Sequence, residues 1–342
     1  MKILVTGGAG YLGSVLSLAL IEEGHDVRIL DNLMYGGRSL LSMFGHPRLD
    51  LMIGDVRDST TVERAVDQVE AVVHLAAIVG DPACARDPEG ARAINERASL
   101  QLIRSAQTAG VSRFVFASTC SNYGRMSDTS VLASEEHELR PLSLYAETKV
   151  AVERVLLGDG ASTTTAGTVL RFATLFGVSP RMRFDLTVNQ FVMEMLVHRK
   201  LIVYGERFWR PYVHVRDAAR AIKTVLSSPA DLVRTQVFNV GRTDENYRKM
   251  DLVEIIGQRV PGATVEFVSV ADDPRDYKVS FERIRSTLSF TPARRVVDGI
   301  DEIARLIESG VLGSVADPAF SNVSEVVPNN VIASPQPRAC VP

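Results

Sequence analysis

The sequence predicts an α/β protein: a doubly wound parallel sheet followed by a smaller C-terminal α/β domain. Three observations support this prediction. Short apolar runs alternate with helix-length segments through the first half of the chain, and a turn rich in glycine follows directly after the first run. After about residue 175 the regular alternation gives way to longer irregular stretches, which indicates a change of architecture.

The expected strands are six near-continuous apolar runs. They are Ile3–Val5, Val27–Leu30, Leu51–Ile53, Ala71–His74, Phe114–Ala117 and Thr168–Arg171. Continuous apolar strands separated by helical segments are typical of a parallel sheet that helices cover on both faces. Segments 91–109 and 145–157 are long enough to be crossover helices, and both carry apolar residues at helical spacing.

Composition and charge exclude several classes of protein. The chain has 342 residues, of which 46% are hydrophobic and 23% charged, so neither disorder nor a coiled coil is expected. The net charge of −3 is spread along the chain without a basic stripe, which argues against a nucleic-acid partner. No stretch approaches the ~18 apolar residues of a membrane span. The first apolar run is too short for a signal peptide, so we expect no membrane partner.

The cysteines indicate the compartment. Cys84, Cys120 and Cys340 are too few and too scattered for a disulfide framework or a zinc site. We therefore expect a cytoplasmic protein without a metal.

The first apolar run leads into the turn Thr6-Gly7-Gly8-Ala9-Gly10-Tyr11-Leu12-Gly13. Gly7 permits a tight turn, Gly10 lets the backbone approach a pyrophosphate, and Gly13 lets the next helix pack closely on the strand. The N-terminus of that helix offers free N–H groups to phosphates. Glycine-rich turns can also be purely structural, but after a buried strand this one predicts a Rossmann-type dinucleotide site.

Acidic residues follow the second and third runs. Asp31 ends the second run, near the ~20-residue offset at which an acidic side chain binds the adenosine ribose. Since a carboxylate there repels a 2′-phosphate, NAD is favoured over NADP. Asp55 follows the third run and could reach the adenine, although acids are common at strand ends.

These features divide the chain into an NAD-binding domain at 1–175, to which segments around 205–240 return, and a substrate-binding domain at 176–312. Segment 313–342 is rich in Pro, Ser, Val and Asn without a sustained period, so we expect a flexible tail. Helices expected in the second half are Val188–His198, Asp217–Leu226, Leu252–Arg259 and Val297–Ile307.

Tyr145 and Lys149 are candidates for proton transfer. They lie four residues apart on an expected helix, so their side chains project from one face. A tyrosine with a pKa of ~10 is a poor base at neutral pH, but a neighbouring ammonium and an oxidised nicotinamide favour the phenolate. The pair is therefore a candidate general base for a sugar hydroxyl, although the spacing alone is common on exposed helices.

The run Ser118-Thr119-Cys120-Ser121-Asn122-Tyr123-Gly124 follows the fifth expected strand. A hydroxyl at that strand's carboxyl end would lie at the cofactor cleft and could bind the substrate oxygen that Tyr145 deprotonates. Ser and Thr at strand ends often serve only as caps or turn formers. Their joint occurrence with Tyr145 and Lys149 predicts an active site.

In this order the motifs resemble the extended short-chain dehydrogenase/reductases that modify nucleotide sugars, which include epimerases, 4,6-dehydratases, decarboxylases and ketoreductases. The resemblance runs from Met1 to about residue 308. It also includes His74-Leu75-Ala76-Ala77, Asn95, Leu170-Arg171-Phe172, Val203-Tyr204-Gly205, the run from Arg210 to Asp217, Phe238-Asn239-Val240-Gly241 and Asp273-Pro274-Arg275.

The resemblance implies a catalytic triad of Thr119, Tyr145 and Lys149. Arg210 and Arg275 match the arginines that bind the diphosphate of the sugar nucleotide, a role suited to a planar guanidinium. Further substrate contacts are expected from Asp81, Thr174, Arg183 and Asn189, with Thr174 in place of the Asn of many relatives. The expected NAD contacts are Gly7, Gly10, Tyr11, Leu12, Gly13, Asp31, Asn32, Asp55, Val56, Leu75, Ala76, Ala77, Asn95, Ser118, Tyr145 and Lys149.

Two positions depart from the family pattern. Dehydratases of this type place Asp-Glu directly after the catalytic Thr, and decarboxylases place a Glu second, whereas this chain has Cys120 and Ser121. Relatives that epimerise at C3 and C5 use a cysteine one residue further along, and alternation in an extended segment would turn Cys120 the other way. Cys120 is therefore either a catalytic thiol or a small buried residue.

The sequence thus predicts an NAD-dependent nucleotide diphosphate (NDP)-sugar epimerase that acts at C4 through a transient keto sugar. The alternatives are an NDP-sugar ketoreductase or dehydratase of deoxysugar biosynthesis, and a non-catalytic NAD(P)-sensing protein. Asp31 argues against an NADPH reductase, and the complete triad argues against a sensor. By the resemblance we also expect a homodimer, formed through helices 91–109 and 145–157.

Overall fold

The computed structural model describes residues 1–126, 128, 130–158, 162, 164–268 and 275–323. The strands among them are β1 (Lys2–Thr6), β2 (Asp26–Asp31), β3 (Leu49–Ile53), β4 (Ala71–His74), β5 (Arg113–Thr119), β6 (Ala166–Phe172), β7 (Thr174–Phe176), β8 (Lys200–Tyr204), β9 (Trp209–His214), β10 (Gln236–Val240), β11 (Asn246–Arg248) and β12 (Thr264–Val268).

The α-helices are α1 (Tyr11–Glu22), α2 (Ser59–Val66), α3 (Asp81–Arg86), α4 (Pro88–Arg92), α5 (Ser99–Thr108), α6 (Leu144–Leu157), α7 (Thr187–Met193), α8 (Val215–Ser227), α9 (Ala230–Val233), α10 (Lys249–Arg259), α11 (Glu282–Leu288) and α12 (Val296–Glu308). A π-helical segment, Ala93–Ala98, joins α4 to α5, and another, Glu194–His198, extends α7. Short 3₁₀ turns occupy Arg38–Leu40, Cys120–Tyr123 and Pro318–Phe320. None of the helices in the described part of the chain is both long and apolar enough to span a membrane.

The central sheet has seven parallel strands in the order β10-β6-β5-β4-β1-β2-β3, which confirms the doubly wound prediction. All six expected strands lie in it. The strand order reverses beside β1, which pairs with β2 on one side and β4 on the other. A crevice opens at such a reversal beyond the carboxyl ends of the strands, and ligands of open α/β sheets bind there.

Helices cover both faces of this sheet, as its apolar strands require. On one face α1 and α8 pack on side chains such as Ile3 and Ile29. On the other face α2, α5 and α6 bury Leu4 and Phe114. Every residue of β4 and β6 is buried, so these strands lack the polar alternation of a half-exposed strand.

A third apolar cluster lies in the second half of the chain, where α7, α10 and α12 pack around Phe176 and Tyr212. Two small sheets border it, one in the order β11-β9-β7 and one that pairs β12 with β8. The expectation of irregular stretches missed these five strands, which are only three to six residues long and share no common exposure pattern. The four helices expected in this half are present, with bounds that differ by a few residues.

The end of the described chain differs from the expected tail. Phe320 packs edge-on against Phe184 with 5.9 Å between ring centroids, and the Phe184 N–H donates to the Phe320 carbonyl at 2.8 Å. Apolar and backbone contacts therefore fix this segment, which its Pro- and Ser-rich composition concealed. The rest of the expected tail, 324–342, lies outside the described residues.

Candidate active site

A cleft of about 460 Å³ lies at the carboxyl edge of the seven-stranded sheet. Its wall combines the glycine turn, the ends of β2, β4 and β5, the start of α6 and several segments from the second half of the chain. We call the part formed by 7–36, 54–56 and 75–78 the cofactor half. The part formed by 81, 174–187, 210, 249 and 275–277 is the substrate half.

The glycine turn has the close approaches that its sequence predicts. Gly7 has a φ of +73°, and a Cβ there would lie 2.7 Å from the backbone nitrogen of Ala76. A Cβ on Gly13 would lie 2.1 Å from the Gly7 carbonyl oxygen, so only glycine lets α1 pack this closely on the turn. Gly10 closes the turn by donating its N–H to the Gly7 carbonyl at 3.1 Å. The cradle fits the pyrophosphate of a dinucleotide.

Asp31 lies at the end of β2 and lines the cleft. Its two carboxylate oxygens accept hydrogen bonds from the N–H groups of Ala9 at 2.9 Å and Leu33 at 2.8 Å. Burial raises the pKa of Asp31, and the two backbone donors oppose that rise. Each oxygen retains a lone pair, so the carboxylate suits the hydroxyls of an adenosine ribose.

Asp55 also lines the cleft, where both its oxygens accept from the guanidinium of Arg57. Hydrogen bonds from Arg57 lower the pKa of Asp55 to about 2. Asn32 donates to the same carboxylate at 3.3 Å. This group therefore stays ionised beside the second and third strands.

The remaining expected NAD contacts also line the cleft, except one. Those that do are Tyr11, Leu12, Val56, Leu75, Ala76, Ala77, Ser118, Tyr145 and Lys149. Asn95 is fully buried away from the cleft, where its amide accepts from the N–H of Ile78 at 2.8 Å and donates to the Ile78 carbonyl at 2.9 Å. Both ends of the amide are bonded to the backbone, so Asn95 positions the Ile78 segment, which itself lines the cleft; its expected contact with the cofactor stays a prediction.

Tyr145 and Lys149 lie on α6, whose first turn is capped by the Ser143 hydroxyl. The Lys149 ammonium donates to the Ala117 carbonyl at 2.9 Å and lies 5.8 Å from the centroid of the Tyr145 ring. Burial lowers the pKa of Lys149 to about 8. Burial also raises the pKa of Tyr145 above its usual value, so the phenol is protonated at neutral pH without cofactor.

Thr119 ends β5 and lines the same cleft. Its hydroxyl oxygen lies 2.8 Å from that of Ser121 and accepts from the Ser121 N–H at 3.1 Å. The threonine side chain is therefore held at the cleft by the 3₁₀ turn that follows it. The three expected catalytic residues line one cavity.

A buried polar network that sequence reasoning missed supports this strand end. Ser118 donates to the carboxylate of Glu153, which also accepts from Asn122 at 2.8 Å. Glu153 forms a buried ion pair with Arg171 at 2.6 Å. The network ties β5, β6 and α6 together beneath the catalytic groups, and no local motif predicts it because its members are far apart in sequence.

The structure contradicts a catalytic role for Cys120. The thiol is fully buried, does not line the cleft, and donates to the Arg171 carbonyl at 3.2 Å. Burial raises its pKa well above the usual value, so it is a poor acid or nucleophile at neutral pH. Alternation along the strand end turns Thr119 toward the cleft and Cys120 into the core.

In the substrate half, basic side chains are paired with acids. Both oxygens of Asp185 accept from Arg183, at 3.0 and 2.6 Å, and the guanidinium of Arg275 lies 2.6 Å from Asp81. Arg210 donates to the Arg275 carbonyl at 2.5 Å. These cations line the cleft together with Thr174, as the expected substrate contacts should.

Asn189, another expected substrate contact, does not line the cleft. Its amide donates to the Arg183 carbonyl at 2.8 Å and accepts from the Gly177 N–H at 3.0 Å. The Tyr11 hydroxyl donates to the Gly177 carbonyl at 2.6 Å. Asn189 is buried in the first turn of α7, and from there it positions the loop that carries Arg183 against α1.

Several lining residues carried no sequence signal. They are Tyr35, Thr187, Lys249, Tyr277, Asn322 and Val323. They come from segments without a motif and meet only through the tertiary fold. Ser121 and Asp185 also line the cleft, and both lie in runs that the sequence singles out: residues 118–124, and residues 181–185 as a source of polar contacts to the sugar or nucleotide. Asp273 and Pro274 of the expected motif, and Cys340, lie outside the described residues.

Comparison with known families agrees with this geometry. The model of the NAD dependent epimerase/dehydratase family matches residues 3–241, more than half of the chain. This match confirms the resemblance that the motifs indicated.

Individual relatives match over nearly the whole chain. The UDP-glucose 4-epimerase of Corynebacterium glutamicum is 29% identical over 311 residues, which are 85% of this chain and 91% of that protein. The UDP-glucose 4-epimerase of Thermus thermophilus, solved with NAD, has a TM-score of 0.80 and 27% identity, covering 91% of this chain and 100% of that one. The dTDP-glucose 4,6-dehydratase DesIV of Streptomyces venezuelae, also solved with NAD, has a TM-score of 0.80 and 25% identity, covering 90% and 97%.

Proposed function

Because the chain belongs to the NAD-dependent epimerase/dehydratase family, we propose that it epimerises a nucleotide diphosphate sugar at C4 through a transient keto sugar. One observation carries this proposal. Tyr145, Thr119 and Lys149 line the cavity that contains the glycine turn on one side and paired arginines on the other. This arrangement places proton transfer between a dinucleotide site and a diphosphate site.

Tyr145 would remove the proton of the C4 hydroxyl, and Thr119 would hydrogen-bond the same oxygen. The ammonium of Lys149, fixed by the Ala117 carbonyl, favours the phenolate form of Tyr145. When bound, NAD supplies a reversible hydride acceptor beside the sugar carbon. Tyr145 would then return its proton to the oxygen of the inverted centre.

The substrate half supports a ligand held through its diphosphate. Arg210 and Arg275 present guanidinium groups that match phosphate oxygens. A sugar tethered in this way can turn its other face to the cofactor without leaving the enzyme, which epimerisation at C4 requires.

The positions after Thr119 favour epimerisation over dehydration. Cys120 points into the core and Ser121 lines the cleft, so no carboxylate follows the catalytic threonine. A dehydratase of the family pattern needs an acid and a base at these two positions.

We propose that the enzyme is a cytoplasmic homodimer. Cys84 and Cys120 are both free thiols and buried, as suits a reducing compartment. The segments expected to pair in the dimer lie side by side, with the Arg92 guanidinium 3.5 Å from the Glu147 carboxylate. A dimer interface formed by these two segments would lie close to the active site, because Tyr145 and Lys149 belong to α6.

The function is tested by incubating the purified protein with UDP-glucose, UDP-galactose, UDP-glucuronic acid and their dTDP, GDP and CDP counterparts. We expect one pair of C4 epimers to interconvert without net change in reduced cofactor, as followed by NMR and absorbance. Net consumption of reduced cofactor would identify a ketoreductase instead, and loss of water would identify a dehydratase. No conversion of any sugar nucleotide, with NAD bound, would indicate a sensor.

The role of the phenol is tested with Tyr145→Phe. Turnover should fall by about 10²–10⁴-fold, because general acid–base catalysis contributes that much. The NAD content, measured after denaturation, should be unchanged. Tyr204→Phe is the matched control, since this exposed tyrosine lies outside the cleft. Equal activity of the two variants would exclude the mechanism.

A further inference from the structure

Two buried polar side chains at the cleft have no part in the reaction proposed above. Arg181 follows β7, and Asn322 lies near the end of the described chain; both line the cleft. Their exposed fractions are only 6% and 8%. The Nε of Arg181 and the Oδ1 of Asn322 are buried without a hydrogen-bond partner among the described residues. Buried polar atoms are rarely left unpaired in native proteins, so both atoms point to a missing ligand.

Arg181 comes from segment 174–187 of the substrate half, but it lies at the border with the cofactor half. Its guanidinium carbon lies 4.3 Å from the ring centroid of Tyr35, in the segment that follows β2. Two residues earlier, the Ser179 hydroxyl donates to the Tyr11 carbonyl at 2.6 Å, in the first turn of α1. Arg181 is therefore anchored between the phosphate-binding turn and the segment beyond Asp31.

Among the described residues the charge of Arg181 is balanced only from a distance, by the carboxylates of Asp31 and Asp185. None of the described carboxylates forms an ion pair with it, although Arg183 and Arg275 both have one. Burial lowers the pKa of Arg181 to about 10, and the charge of Arg183 acts in the same direction. The guanidinium is still a cation at neutral pH, and a buried cation of this kind calls for an anion.

Residues Asp317–Val323 form what we call the C-terminal strap. At its start the Asp317 carboxylate lies 3.3 Å from the guanidinium of Arg38. At its end the Val323 carbonyl accepts from Arg86 of α3 at 2.5 Å. Arg38 lies between β2 and β3, and Arg86 lies between β4 and β5. Both ends of the strap are therefore bonded to loops or helices that connect strands of the seven-stranded sheet.

The middle of the strap is bonded to the substrate half. The Asn322 N–H donates to the Asp185 carboxylate at 3.3 Å. The Ser321 carbonyl lies 3.4 Å from the Nη2 of Arg181, which donates to it. These contacts place Asn322 beside Arg181, while its own amide oxygen accepts from no other described residue.

We propose that Arg181 and Asn322 bind the dinucleotide: the guanidinium pairs with the diphosphate of NAD, and the amide oxygen of Asn322 accepts a hydrogen bond from a ribose hydroxyl. The strap thereby makes a wall of the cofactor site. Asn322 lies beyond residues 3–241 that the family model matches. The inference concerns the cofactor alone, so it holds whichever sugar reaction the enzyme catalyses.

The test measures binding of NAD, ADP, adenosine and UDP to cofactor-stripped protein by calorimetry. Arg181→Gln should raise the Kd of NAD and ADP at least tenfold while changing those of adenosine and UDP less than threefold. Asn322→Ala should raise the Kd of NAD about fivefold and leave that of UDP unchanged. The controls are Arg207→Gln, whose side chain is 84% exposed, and Ser321→Ala, which keeps the strap carbonyl.

Two outcomes would overturn the proposal. A rise in the Kd of UDP with unchanged NAD affinity would assign the pair to the sugar nucleotide. Unchanged Kd values for all four ligands would show that the unpaired atoms bind nothing. If Arg181→Gln loses the native circular dichroism spectrum, Arg181→Lys replaces it, because lysine keeps the charge but not the Nε donor. A threefold or greater rise in the Kd of NAD is then expected, and unchanged affinity refutes the proposal.

Discussion

The cofactor half of the cleft is built around a closely packed backbone turn, whereas the substrate half presents paired charged side chains. In the first, Gly7 lies so close to Ala76, and Gly13 so close to Gly7, that no Cβ fits on either glycine. In the second, Arg183 and Arg275 are bonded to carboxylates before any substrate arrives. The first half is therefore preformed, whereas the arginines of the second must exchange carboxylate partners for phosphate oxygens when substrate binds.

The largest effect is expected from adding a side chain to the glycine turn of the cofactor half. Gly13→Ala places a Cβ 2.1 Å from the Gly7 carbonyl oxygen. Overpacking of this kind costs about 3 kcal/mol of the free energy of unfolding, and NAD content should fall with it. Urea unfolding and cofactor analysis of the purified variant measure both effects.

Gly257→Ala is the matched control, because this glycine also lies in a helix but a Cβ there meets nothing within 4 Å. It should raise the free energy of unfolding by about 0.5–1 kcal/mol through helix propensity. If the two substitutions had equal effects, the close packing of the turn would not matter for stability.

A smaller effect is expected from removing an arginine of the substrate half. Arg275→Ala removes a charge-assisted phosphate contact, so the KM for the sugar nucleotide should rise about 10- to 100-fold. NAD affinity should stay the same, because the residue lies in the other half of the cleft. Steady-state kinetics and NAD titration separate the two quantities.

The exposed Arg207 provides the comparison for Arg275. Arg207→Ala removes the same charge from the surface and should leave KM within twofold. A loss of NAD affinity in Arg275→Ala would show that the two halves are not independent.

The smallest effect is expected at the thiol that belongs to neither half. Cys120→Ala removes the hydrogen bond to the Arg171 carbonyl, which should cost about 1 kcal/mol of unfolding free energy. Turnover should remain within about twofold, because the side chain does not line the cleft. A drop of 100-fold or more with normal folding would restore the catalytic hypothesis for this cysteine.

The sequence predicts the cofactor half well because the sequence patterns that form it are local. Six apolar strands, a glycine turn and an acid at the end of β2 each occupy a few consecutive residues. Tyr145 and Lys149 are equally local, since one helix turn relates them. Periodicity and spacing are therefore enough to predict these features without any knowledge of tertiary contacts.

The substrate half is harder to predict because distant residues build it. Asp81 pairs with Arg275, which lies almost 200 residues further along the chain. Composition suggested a tail where Asn322 contributes to the cleft wall. Only the fold brings such residues together. The sequence therefore predicts that Asn95 and Asn189 lie near the site, but it does not predict their hydrogen bonds to Ile78 and to Gly177 and Arg183.

The two backbone bonds of Asp31 have a consequence for engineering. This carboxylate clasps the Ala9 and Leu33 N–H groups as well as facing the cofactor half. A redesign for NADP would replace Asp31 with a small apolar residue. That replacement leaves the Ala9 and Leu33 N–H groups without an acceptor beside the glycine turn. A successful conversion therefore needs a replacement that still accepts from both, and coenzyme preference in this protein cannot be rewritten independently of the shape of its loop.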